Sequence, residues 1–169
     1  MVSIHTKRLT IRPLTESDTD FIFELYNTAG FQRFVGDKQL YSKEDAYKYL
    51  TQSLMVMYQT AGMGLFRIAL QDDDTPIGIC GLIKRDSLED IDLGYGYLPA
   101  FEGQGYAFEA AEAMMTFARE KMALRRLVAI TDSANARCIS LLTRLGFSFE
   151  GNQEPLPNGG YLTLYGVAL

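Results

Sequence analysis

The run Glu102-Gly103-Gln104-Gly105-Tyr106-Ala107 follows a strand-like segment closed by Pro99 and directly precedes a helix-like segment. The first turn of a helix leaves backbone N–H groups without partners and carries the positive end of the helix dipole, and glycine lets an anion approach them closely. The spacing therefore predicts a loop built to hold a pyrophosphate. A P-loop would need Lys-Ser or Lys-Thr after the glycines, and a dinucleotide fingerprint would put a third Gly or Ala at Phe108 and open the fold with its first strand. The chain meets neither condition. A bare tight turn is the competing reading of the same glycines.

The strand before the loop is unusual as well. Ile91, Leu93, Tyr95 and Tyr97 form one face, and Asp92, Gly94, Gly96 and Leu98 form the other. Two glycines weaken a strand by leaving nothing to pack, so they predict a bulge or a place where another molecule's backbone comes close. Other reactive residues are sparse. His5 is the lone histidine and is remote in sequence from these segments, which gives a triad or a histidine metal site little to build from. Cys80 and Cys138 lie in apolar contexts without CxxC spacing or a neighbouring base, so they read as buried thiols rather than nucleophiles, metal ligands or disulfide partners.

The elements that must position the loop follow from periodicity. Leu9 to Leu14 alternates like a half-buried strand, with Pro13 marking an edge or strand end. Thr15 and Asp18 cap a helix carrying Phe21, Ile22, Leu25 and Tyr26 toward Gly30. Residues 31 to 41 read as irregular, and Ser42 with Asp45 caps a second helix to about Tyr58. Leu65 to Leu70 and Ile77 to Lys84 form a hairpin around the acidic turn at residues 72 to 76. Beyond the loop, Ala107, Ala111, Met114, Ala118 and Met122 make an apolar helical stripe. Leu127 to Thr131 reads as an inner strand, and Asn135 caps a helix that turns Cys138, Leu141, Leu142 and Leu145 inward and stops at Gly146. The strand–helix alternation implies parallel neighbours. Ser148 to Glu150 and Gly160 to Ala168 close the fold as a hairpin around Asn158-Gly159-Gly160.

Bulk properties narrow the function classes. A length of 169 residues fits one ordinary domain, and 47% hydrophobic residues place it among globular proteins. The net charge of −5 and the lack of a basic run argue against nucleic acid as the primary ligand. No stretch has the apolar length of a membrane span, and the opening MVSIHTKRL lacks a signal core, so the expected address is cytoplasmic, away from membranes.

With these segments in place, the sequence resembles the GCN5-related N-acetyltransferases, and within them the ribosomal-protein alanine/serine acetyltransferase branch. The likeness is carried by LTIRPL and ESD, by DLGYGYLP, and above all by EGQGYAFEA and NARCISLLTRLGF. It implies one N-acetyltransferase domain over residues 1–169 and an α/β fold, α+β by some schemes. A mixed sheet of about six to seven strands would carry helices on both faces, with a splayed parallel strand pair holding CoA. It implies acetyl-CoA as co-substrate and an acyltransferase acting on an amine of a small molecule or a protein N-terminus; the residues themselves point to no metal, and the apolar closing hairpin (Tyr161, Leu162, Leu164, Tyr165) leaves monomer and homodimer both open. The pantetheine arm would pair with backbone at Tyr97 and Leu98, and the pyrophosphate would meet Gly103, Gln104, Gly105, Tyr106 and Ala107. Asn135 would contact the cofactor or position the acceptor, cap its helix, or do both. Where the wider family has Gln or Arg and the branch an aromatic residue, this chain has Glu102.

The resemblance also frames the chemistry. A primary amine is almost wholly protonated at neutral pH, so attack on a thioester needs a base. Asp92, where the branch commonly carries Glu, is the candidate, against a plain solvated carboxylate. Ser140 matches the serine of the helical motif as the acid near sulfur, with Tyr165 and Tyr106 as alternatives, or it bonds back to its own backbone. Phe31, Phe34 and Tyr41 line an acceptor slot or anchor their loop. A non-catalytic acyl-CoA-binding module of the same fold, and an enzyme taking a longer acyl group, are the competing functions.

Overall fold

A computed structural model describes residues 3–157 and 159–169. In chain order the elements are β1 (Ile4–His5), β2 (Leu9–Pro13), α1 (Thr19–Tyr26), α2 (Ala29–Phe34), α3 (Lys43–Tyr49), β3 (Gly64–Leu70), β4 (Pro76–Ile83), β5 (Asp92–Tyr97), α4 (Tyr106–Lys121), β6 (Arg126–Asp132), α5 (Ala136–Arg144), β7 (Ser148–Pro155) and β8 (Tyr161–Ala168). The strands form one mixed eight-stranded sheet in the order β1-β2-β3-β4-β5-β6-β8-β7. The strand–helix alternation produces a single parallel contact, β5 with β6; the other pairs are antiparallel.

Two cores separate along the faces of the sheet. On one, Ala110, Ala111, Met114 and Ala118 of α4 and Leu142 of α5 pack on Phe66, Ile68, Leu93 and Leu127. On the other, Ile22, Leu25, Phe31, Leu50 and Leu54 from the helical segments pack on Leu65, Ile79 and Leu98. Helices thus cover both faces, as an α/β pattern of this kind requires.

Several boundaries differ from the sequence expectation for local reasons. The segment expected to be irregular starts with α2, because the Thr28 side chain accepts from Phe31 N–H and nucleates a short helix. The second helix begins where Ser42 caps it, its side chain accepting from Asp45 N–H at 3.1 Å. It stays α-helical only to Tyr49 and then widens into a π turn over Leu50–Leu54 and tightens into a 3₁₀ turn over Met55–Gln59. A short β1 adds an edge strand that sequence alternation is too brief to reveal, and His5 lies exposed on it. α5 ends as expected at Gly146, φ 95°, with Phe147 N–H closing back on the Leu142 carbonyl. Of the expected closing turn, Asn158 lies outside the described residues, as do Met1 and Val2 of the opening segment.

Candidate cofactor groove and acceptor corner

β5 and β6 touch at a single register position, Asp92 opposite Val128, where Val128 N–H donates to the Ile91 carbonyl at 3.0 Å. Beyond it the two strands part. β6 continues along β8 from Arg126 to Asp132, and β5 continues along β4 from Asp92 to Tyr97. The gap between them is a V whose closed end is Asp92.

Backbone alternation decides which residues can use this gap. Leu98 N–H donates to the Ile77 carbonyl at 2.8 Å, toward β4, and the Leu98 carbonyl accepts from Phe101 N–H at 3.0 Å. Neighbouring residues of a strand direct their backbone groups to opposite sides. Tyr97, Tyr95 and Leu93 therefore face the gap and Leu98 does not. The expectation that Tyr97 and Leu98 act together is corrected to Tyr97 with residues two apart from it.

At the open end of the V stands the glycine loop. Gly103 and Gly105 take φ of 75° and 84°, a left-handed conformation that glycine adopts without strain. The first hydrogen bond of α4 runs from Glu109 N–H to the Gly105 carbonyl, and among the described residues nothing accepts from the N–H groups of Gly103, Gln104, Gly105, Tyr106 or Ala107. A side chain added at Gly103 would meet nothing within 4 Å. Free donors, a helix dipole and open space together fit a pyrophosphate.

The loop is braced by a residue the sequence reading missed. Arg8 donates to the Gln104 carbonyl at 3.0 Å and to Glu109 at 2.8 Å, and its guanidinium lies 4.3 Å from the centre of the Tyr106 ring. Thr6 and the Arg8 N–H also bond Glu109, at 2.6 and 2.9 Å, and these bonds hold the Glu109 carboxyl below its ordinary pKa against the opposing effect of burial. About a hundred residues separate these partners, so no local pattern marks them. Across the groove, Arg137 on the first turn of α5 donates to Glu102 at 2.6 Å.

On α5, Asn135 caps the helix, its Oδ1 accepting from Cys138 N–H at 3.1 Å. Ser140 is exposed, whereas Cys138 is turned inward, its thiol 2.9 Å from the Tyr95 hydroxyl. Three residues on from Asn135 stays on one helical face and five does not. Burial raises the pKa of Cys138 and of Tyr95. The alternative acids lie elsewhere: Tyr106 under Arg8, and Tyr165 buried against Phe149.

The acceptor corner is built from side chains. Asp92 is 1% exposed; one carboxylate oxygen pairs with Arg85 and the other, Oδ1, has no hydrogen-bond partner among the described residues. Burial raises its pKa, and the Arg85 charge and hydrogen bond oppose that rise. The strand glycines have a different use from the one expected. A Cβ at Gly96 would lie 2.2 Å from the Phe31 ring, so Gly96 makes room for Phe31 rather than for an incoming backbone. Phe31 is buried, packed on Tyr26 with ring centres 4.7 Å apart, and Tyr26 meets Tyr49 at 5.2 Å. Phe34 is half-buried under Arg33, and Tyr41 is 75% exposed, so the three aromatic residues do not line one surface. A cavity of about 520 Å³, lined by Pro13, Tyr58, Met63, Phe66, Phe117 and Met122, lies at the far end of α4, away from this groove.

A family model described as an acetyltransferase (GNAT) domain matches residues 8–148. The chain belongs to this family. It is an acyltransferase of the N-acetyltransferase kind, and curated relatives agree. The N-acetyltransferase YnaD of Bacillus subtilis (strain 168) is 24% identical over 148 residues, 88% of this chain and 84% of that protein. The spermidine N(1)-acetyltransferase of Escherichia coli (strain K12) is 25% identical over 164 residues, 95% of this chain and 84% of the relative. Among solved structures, RimL, a ribosomal L7/L12 α-N-protein acetyltransferase in complex with coenzyme A, superposes with a TM-score of 0.86 at 21% identity, covering 99% of this chain and 98% of that one. An acetyltransferase from Salmonella typhimurium that modifies the N-terminal serine of L7/L12 gives 0.81 at 21% identity, with 97% and 96% covered. These structures share the GNAT fold.

Proposed function

We propose that this chain transfers an acetyl group from acetyl-CoA to a primary amine, on a small molecule or at a protein N-terminus, by direct attack in a ternary complex. The observation that carries the reading is the V between β5 and β6 opening onto a loop of free N–H groups. The named relatives, which act on spermidine or on a ribosomal protein, agree with an amine acceptor.

When bound, acetyl-CoA supplies a thioester whose C–S bond breaks as the C–N bond forms, leaving an amide and the free thiol. The chain's own groups do the rest. The loop N–H groups of residues 103–107 hold the diphosphate, and Asn135, whose Oδ1 is spent on its cap, keeps its amide N–H available for the cofactor. Backbone N–H groups facing the V, from Tyr97 inward, bind the linear arm and stabilise the developing oxyanion. Asp92 lies at the closed end, roughly 16 Å along the strand from Tyr97. A linear arm entering at the loop points its reactive end toward Asp92, which takes the amine proton through water. Burial raises the pKa of that carboxylate, and the Arg85 charge and hydrogen bond favour its ionised form. Phe31 is the packed anchor against Gly96, and the exposed Tyr41 and half-buried Phe34 meet the acceptor separately from it.

Calorimetric titration of acetyl-CoA followed by a thiol-release screen of polyamines and peptide N-termini tests this. Saturable binding and release of free thiol with at least one amine are expected; absence of acetyl-CoA binding by folded protein overturns the reading.

A further inference from the structure

Glu102, directly before Gly103, puts a carboxylate at the lip of the proposed anion site. Two like charges held together are costly, and the structure shows what offsets this one: Arg137 donates to Glu102 at 2.6 Å. The loop follows β5 and α5 follows β6, so the pair joins the two lips of the groove. Its side chains are 69% exposed at Arg137 and 35% at Glu102. An ion pair so exposed contributes little to stability and can exchange partners at little cost. The Arg137 guanidinium is a planar fork suited to phosphate oxygens, and its partner Glu102 directly precedes Gly103, the first of the free N–H groups fit for a diphosphate.

We propose that Arg137 is a phosphate-binding residue for the nucleotide end of CoA, and that Glu102 competes with that phosphate for its guanidinium. The proposal rests on the acetyl-CoA reading above. Glu102 then acts as an internal anion that lowers CoA affinity and holds Arg137 in reach. Phosphate on the loop pulls the guanidinium across, and Glu102 is left to solvent, which its partial exposure permits.

Calorimetric titration of CoA and of 3′-dephospho-CoA into the wild type, Arg137→Gln, Arg137→Lys and Glu102→Gln tests this. Arg137→Gln weakens CoA binding about tenfold, Arg137→Lys recovers most of that loss, and Glu102→Gln tightens binding by about threefold. A loss confined to CoA assigns Arg137 to the 3′-phosphate, and a loss shared by both ligands assigns it to the diphosphate. Unchanged affinity in Arg137→Gln overturns the proposal while leaving the acetyl-CoA reading intact. Weaker binding in Glu102→Gln makes the pair a brace for the loop and also overturns it. A folded wild type that binds neither ligand sinks the acetyl-CoA reading itself.

Discussion

At one end of β5 the chain offers an anion the solvent-facing N–H groups of Gly103 to Ala107; at the other it keeps the Asp92 carboxylate 1% exposed, beside Arg85. The loop needs no charged side chain of its own, because peptide dipoles and glycine geometry supply the field. The Asp92 corner depends on the Arg85 side chain, from the connection between β4 and β5, and on exclusion of water, which strengthens every charge it contains. A site that receives a highly charged, hydrated ligand can stay open, while one that must tune a proton acceptor has to be packed.

Five substitutions sharpen this contrast. Asp92→Asn removes the proposed acceptor of the amine proton and lowers kcat by about 10²-fold or more, with acetyl-CoA affinity unchanged by calorimetry. Equal turnover in the variant would make Asp92 structural. Gly105→Glu forces a side chain to φ 84°, within 3.2 Å of Arg8, and puts a negative charge on the anion site. Affinity for acetyl-CoA falls about 100-fold while circular dichroism remains that of the folded protein.

Gly96→Ala pushes a methyl group into the Phe31 ring and costs about 1–3 kcal/mol in denaturant unfolding. Phe31→Leu in the same chain restores part of that loss if the close contact is its cause. The smallest effect is a shift in pH dependence. Burial raises the Asp92 pKa and Arg85 lowers it, and the carboxylate must be ionised to accept a proton. Activity is therefore lost as pH falls through a pKa raised above the ordinary Asp value. Arg85→Gln removes the opposing effect and moves the acid limb of kcat/KM to higher pH; a limb that stays put would mean another group titrates.

The two ends of β5 also differed in legibility. The geometry of the loop is legible because it lies in consecutive backbone groups, announced by Gly103, Gly105 and the helix that follows. The cap by Asn135 was equally local. Arg8 was missed because its partners, Gln104 and Glu109, are remote in sequence. Ser140 was chosen from a motif, yet helical phase turns it outward and turns Cys138 toward Tyr95. Gly94 and Gly96 were recognised as odd, but their use depends on which partner fills the space, and for Gly96 that partner is Phe31.

Alternation, capping and glycine spacing are short-range preferences, so the sequence alone determined most of the elements and the glycine loop that opens α4. The tertiary structure decided where β5 and β6 part, which strand face meets Phe31, and which arginines stand beside Glu102 and Glu109. Those contacts depend on segments brought together only when both faces of the sheet are covered, and their energies come from burial and paired charge that no local pattern encodes.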